Sequence, residues 1–154
     1  MLGVSLRTRQ EKAVIIGDIS KIFNRISLAQ SEFHTHRFLW RDLDTHKPPD
    51  HYVLTPICFG VHPSAAISIL ASRRTVEMCL SEYNDAAQMI IKNLFVDDIV
   101  KSTDSEENAC KLMKVAEVIL GKGRFKIKQW ITSGKEKPNY DGNVQIMDTD
   151  SEKV

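Results

Sequence analysis

An apolar run that is interrupted by two adjacent carboxylates cannot continue as one buried element. Residues 93–100 read Asn-Leu-Phe-Val-Asp-Asp-Ile-Val, so Asp97 and Asp98 stand between Leu94, Phe95 and Val96 on one side and Ile99 and Val100 on the other. Two neighbouring negative charges repel, and burying them unpaired is costly. The chain is therefore expected to reverse at Val96-Asp97-Asp98. The flanking runs, 88–95 and 99–102, read as the arms of a hairpin.

The surrounding pattern alternates strand and helix signals. Val14, Ile15 and Ile16 form a β-branched run that ends near Gly17 and Asp18, which predicts a buried strand. Residues 36–42 and 51–59 read as a strand pair, joined by a polar connection in which Pro48 and Pro49 forbid regular structure. Pro63 suits the start of a helix that runs through 64–83. Thr103 with Glu106, and Asp104 with Glu107, each fit a capping box for a second helix. The apolar face of that helix is Ala109, Leu112, Met113, Ala116 and Leu120, and Gly121 is its expected stop. Residues 124–130 alternate as a last strand. From Ser133 the composition turns polar and turn-rich, so 134–154 is expected to be a disordered tail after a domain spanning 1–133. Strand, helix, hairpin, helix, strand predicts an α+β fold with an antiparallel sheet and helices packed on one face.

The 154 residues suffice for one domain with a core, and the formal net charge of +1 carries no global signal for nucleic acid. Cys58, Cys79 and Cys110 are odd in number and far apart. This excludes a disulfide framework or a CxxC zinc site and points to a reducing compartment. No apolar run approaches the roughly 18 residues of a membrane span, and the first residues lack a signal-peptide core. The expected setting is intracellular.

Asp18, Asp97 and Asp98 are the candidate chemistry. If the strand carrying Asp18 pairs beside the hairpin, three carboxylates gather at one edge of the sheet. Such a group suits magnesium, which takes oxygen ligands and is usually shared with substrate phosphates. The plain alternative is a solvent-exposed turn, where aspartate is common. His34 and His36 read as loop histidines rather than ligands, and Arg73 and Arg74 as a solvated helix face. Lys122, Arg124, Lys126 and Lys128 alternate opposite Phe125 and Ile127, either as a stripe for a nucleic-acid backbone or as the wet side of an edge strand.

Five stretches occur in one order: "GDISKIF", "RFLWRD", "FGVHPS", "FVDDIVKS" and "GRFKIKQW". Together they resemble the reverse transcriptase of BEL/Pao-type retrotransposons over about residues 2 to 133. The resemblance implies a partial polymerase palm with a remnant of the fingers. It implies RNA-directed DNA synthesis from deoxynucleotides on an RNA or DNA template-primer. It also implies two magnesium ions, with manganese as a substitute, held by Asp18, Asp97 and Asp98. Phe23 matches the bulky residue that favours deoxynucleotides. Gly60 begins the segment near template and nucleotide, in which Ser64 lies, and Lys128 matches a position near the triphosphate. Phe95 stands where the pattern has tyrosine, Arg124 where it has glycine, and Gln129 where it has lysine. Phe95, Arg124 and Lys126 are the implied nucleic-acid contacts. The thumb, most of the fingers and any RNase H domain of the parent polyprotein fall outside the matched stretch, so little activity is expected of this stretch alone. The implied location is a cytoplasmic retrotransposon particle or the nucleus. The competing expectation is an inactive remnant that keeps a palm-like fold.

Overall fold

The computed structural model describes residues 10–133 and 140–147. The fold is α+β. Strand β1 (Ala13–Ile19) is the centre of a five-stranded sheet. It pairs antiparallel with β5 (Asp98–Thr103) on one side and with β6 (Ile127–Thr132) on the other. The short β4 (Leu94–Phe95) flanks β5, and β7 (Val144–Ile146) runs parallel to β6 at the far edge. A separate two-stranded ribbon consists of β2 (Arg37–Trp40) and β3 (Asp50–Val53). It is the strand pair that the sequence announces, with Phe38 stacked on Tyr52 at 5.5 Å.

Alternation decides which side of the sheet is covered. Ile15, Gly17 and Ile19 of β1 are buried, while Val14, Ile16 and Asp18 are half-buried. Ile99 and Trp130 sit opposite Gly17 in register and share its face. Helices α1 (Ser64–Glu77), α2 (Asn84–Asn93) and α3 (Glu106–Lys122) close that face. They bury Val76, Ala87, Ile90, Met113, Ala116 and Ile119 in one core with the sheet residues. Removing such side chains from water supplies about 1.5–3 kcal/mol each for the larger ones. On α1 the buried stripe is Ser64, Ser68, Ser72 and Val76, small residues that allow close helix packing.

Several local expectations give way to tertiary structure. Residues 88–93 continue α2 rather than forming a hairpin arm, because Ala87, Ile90 and Leu94 recur at helical spacing and all meet the core. The cap of α3 is Ser105, whose Oγ accepts the Asn108 amide hydrogen, since β5 claims Thr103 as a strand residue. The helix runs past Gly121 to Lys122, and the chain leaves it through Arg124 at φ +61°. Within the segment read as a tail, Val144 is buried, and β7 adds a fifth strand to the sheet. Residues 134–139 and 148–154 lie outside the described residues.

Candidate functional site

The turn between β4 and β5 is two residues long. Phe95 and Asp98 pair across it, and Val96 and Asp97 occupy its corners. Val96 sits at φ +55°, the first-corner geometry of a type II′ hairpin turn, which glycine usually supplies. A β-branched residue held there costs about 1–3 kcal/mol, so the surrounding pairing must hold the turn in place.

β1 brings the third carboxylate. Asp18 is in direct register with Asp98, so both side chains leave the sheet on the same side, away from the helices. The Asp97 carbonyl accepts the Ile19 amide hydrogen at 2.8 Å, which ties the turn to the end of β1. All three aspartates are half-buried. Burial, reinforced by the charges of Asp97 and Asp18, raises the Asp98 carboxyl from 3.8 to about 6. The chain turns at Val96-Asp97 as the sequence led us to expect, although 88–93 are helical, and Asp18 stands beside Asp98 with Asp97 in the adjoining turn.

The remaining implied site residues divide. Lys128 joins the group, with its Nζ 3.6 Å from Asp18 Oδ2. It gets there because the β1–β6 register slips between Asp18 and Ile19. Lys126 is exposed beside it, and its carbonyl accepts the Ser20 amide hydrogen at 2.7 Å. Phe95 is half-buried in β4. Phe23 lies in a single 3-10 turn (Phe23–Arg25) just after β1, partly packed on the core, with the Phe59 ring edge-on at 5.7 Å. Phe59 is 85% exposed, and Gly60 follows it at φ +85° with open space around it.

Ser64 is different. It is 2% exposed in the first turn of α1, a packing position. The expected basic stripe is also broken. Lys122 belongs to α3 and pairs with Glu82, and Arg124 is in the turn that follows, which leaves Lys126 and Lys128 at the sheet. His34 and His36, read as loop residues, lie in a 3-10 helix (Gln30–His36), where the buried His36 accepts the Cys58 amide hydrogen at Nε2 at 3.4 Å.

Two contacts had no isolated signal in the sequence. Phe59 meets Phe23 where the loop after β3 runs alongside residues 26–28, with the Ile57 amide donating to the Ile26 carbonyl, and Lys128 nears Asp18 at the β1–β6 bulge. Asp18 and Asp98 face one way, and carboxylates are hard oxygen donors, the donor chemistry that magnesium takes. Among the described residues, however, no three His, Cys, Asp or Glu side chains converge closely enough to enclose a metal by themselves. Among the same residues, no helix is long and apolar enough to cross a membrane. No protein-family model matches the chain, and no curated protein matches it.

Proposed function

We propose that this chain is a palm-type nucleotidyl-transfer domain of the reverse transcriptase kind, extending a primer 3′-hydroxyl with deoxynucleotides on an RNA or DNA template. The observation that carries this reading is the cross-strand registration of Asp18 with Asp98, with Asp97 in the adjoining turn. Burial first, and then the charges of Asp97 and Asp18, push the Asp98 carboxyl up to about 6, and a cation beside it would favour its charged form. Asp18, Asp97 and Asp98 would hold magnesium, which supplies charge neutralisation at the transferring phosphoryl group when bound. An incomplete protein cage suits that ion, because substrate phosphates and water usually complete its shell.

The chain's own residues supply position and field. The sheet side opposite the helices offers the aspartates to a duplex lying across β1 and β5. Phe23 and Phe59 form an aromatic corner at the end of β1, suited to the sugar and base of an incoming nucleotide. Lys128 sets an ammonium group beside Asp18, where phosphate oxygens would arrive, and Lys126 is an exposed cation two residues before it.

A labelled primer on an RNA template, with deoxynucleotides and magnesium or manganese, tests the reading. Weak, metal-dependent extension that disappears in Asp97→Ala/Asp98→Ala is the expected result. Extension no greater than in that double variant would overturn it. That outcome would favour the inactive palm-like remnant, the second reading, which the unclosed carboxylate cage supports.

A further inference from the structure

The side chains of the β2–β3 ribbon are sorted by face. Alternation puts Phe38 and Trp40 of β2 on one side, together with their cross-strand partners Tyr52 and Asp50 of β3. Arg37, Leu39, His51 and Val53 take the other side. Phe38, Trp40 and Tyr52 are 40%, 48% and 43% exposed, and with Asp42 they line one recess of about 470 Å³. Asp42 and Leu43, at φ +49° and +62°, form the turn after Trp40, in which the Asp44 amide donates to the Arg41 carbonyl. Asp42 Oδ1 accepts the Trp40 indole hydrogen at 2.6 Å. Its Oδ2 holds the Lys47 ammonium at 3.2 Å, which also stands 3.7 Å from Asp50 Oδ2. The aromatic side thus carries two carboxylates to one ammonium, while Arg41 lines a separate recess with Leu39 and Leu43.

We propose that this recess binds a methylated lysine side chain of a partner protein, presented by an extended peptide lying beside β2. The faces of aromatic rings attract cations, tryptophan most strongly. The net negative rim adds to that pull and opposes a phosphate-bearing ligand. An unmodified lysine ammonium is compact and strongly hydrated, and its N–H groups need acceptors. Here both Asp42 oxygens are already engaged, by the Trp40 indole and by Lys47. A trimethylammonium group has no N–H, sheds water at little cost and needs only the ring faces. The outer edge of β2 has no strand partner among the described residues, so its backbone groups are open to an extended peptide. Alternate side chains of such a peptide fall on the aromatic side. The site is independent of the aspartate group and of the polymerase reading.

The test titrates the full chain into a short, labelled, threonine- and valine-rich peptide with a central trimethyllysine, read by fluorescence anisotropy. Parallel peptides carry unmodified lysine or the neutral tert-butyl isostere of trimethyllysine, and free choline serves as a competitor. The trimethyllysine peptide is expected to bind about three- to thirtyfold more tightly than either other peptide, with choline competing far more weakly than the unlabelled peptide. Trp40→Leu and Tyr52→Leu should each reduce that preference while the thermal melt stays near wild type, because both positions lie outside the main core. Lys47→Gln should gain affinity for the unmodified peptide and narrow the discrimination. Equal binding of the charged and neutral peptides, or undiminished preference in a folded Trp40→Leu, would overturn the cation site. Choline that competes as well as the peptide would overturn the peptide assignment. Failure of all the probes to bind would overturn the proposal outright.

Discussion

Gly17→Ala should loosen the centre of the sheet, although the position has an ordinary strand conformation and alanine is otherwise the better strand residue. A Cβ at Gly17 would stand 2.5 Å from Cζ3 of Trp130 and 2.8 Å from its Cε3 and Cη2. Carbon contacts settle near 3.5–4.0 Å, so the indole must retreat by about 1 Å. Trp130 is 1% exposed, and its Nε1 donates to Glu117 Oε1 at 3.1 Å, so retreat means repacking against α3. Overpacking of this kind costs about 1–3 kcal/mol, against about 0.5–1 kcal/mol gained by replacing a strand glycine. The net loss of about 1–2 kcal/mol corresponds to a fall in melting temperature of roughly 2–8 °C for a chain of this size. Urea unfolding followed by circular dichroism reads this loss, with a signal that survives replacement of Trp130 itself. Adding Trp130→Leu should remove most of the Gly17→Ala cost, a coupling of about 1 kcal/mol. Undiminished stability in Gly17→Ala, or an equal cost with and without the indole, would refute the reasoning. Asp18 follows Gly17 directly, so the same displacement should also shift its carboxylate against Asp98.

Asp98→Asn tests, through pH, the burial of this carboxyl and the charges of Asp97 and Asp18 beside it. The folded carboxyl titrates near 6 and the unfolded one near 3.8, so between those values the folded chain holds the extra proton and wild-type stability falls as pH rises. The shift corresponds to about 3 kcal/mol before solvent screening, and about 1 kcal/mol is expected for this half-exposed group. Metal-free Asp98→Asn should therefore exceed wild type by about that amount at pH 7.5 and match it at pH 3.5, as read by urea unfolding. An equal difference at both pH values would assign the effect to packing. Val96→Gly should be neutral or stabilising by up to about 1 kcal/mol, since relief of the positive φ offsets the lost side chain. A thermal melt showing a loss above 1 kcal/mol would mean that the Val96 side chain, rather than its backbone, holds the turn.

Much of this fold can be read along the chain, and what cannot is non-local. The turn at Val96-Asp97 announces itself because two charges break an apolar run. The β2–β3 ribbon shows through its proline-rich connection. Helix α2 is easily misread as a strand: Met89, Ile90, Ile91, Leu94 and Phe95 are close enough to pass for a hairpin arm, and the helical spacing of Ala87, Ile90 and Leu94 decides only once the core is known. Val144–Ile146 is three residues in a polar setting, and its strand character comes from β6 beside it. Thr103, Asp104 and Ser105 can all cap a helix, and the extent of β5 selects the last of them. At the site, the sequence supplies the carboxylates but not the strand order that sets Asp18 against Asp98. It contains no sign of the bulge that delivers Lys128.

The central position of β1 has a consequence for how the chain is made. Its partners β5 and β6 lie roughly 80 and 110 residues further along, so among the described strands β1 waits longest for its neighbours. At about 5–20 residues per second that wait lasts roughly 5–20 s. Throughout it, Val14, Ile15, Ile16 and Ile19 form a β-branched segment that other nascent chains could pair with. Asp18 interrupts that segment with a charge, which opposes such association. The same carboxylate thus guards the strand during synthesis, before Asp98 exists to stand beside it.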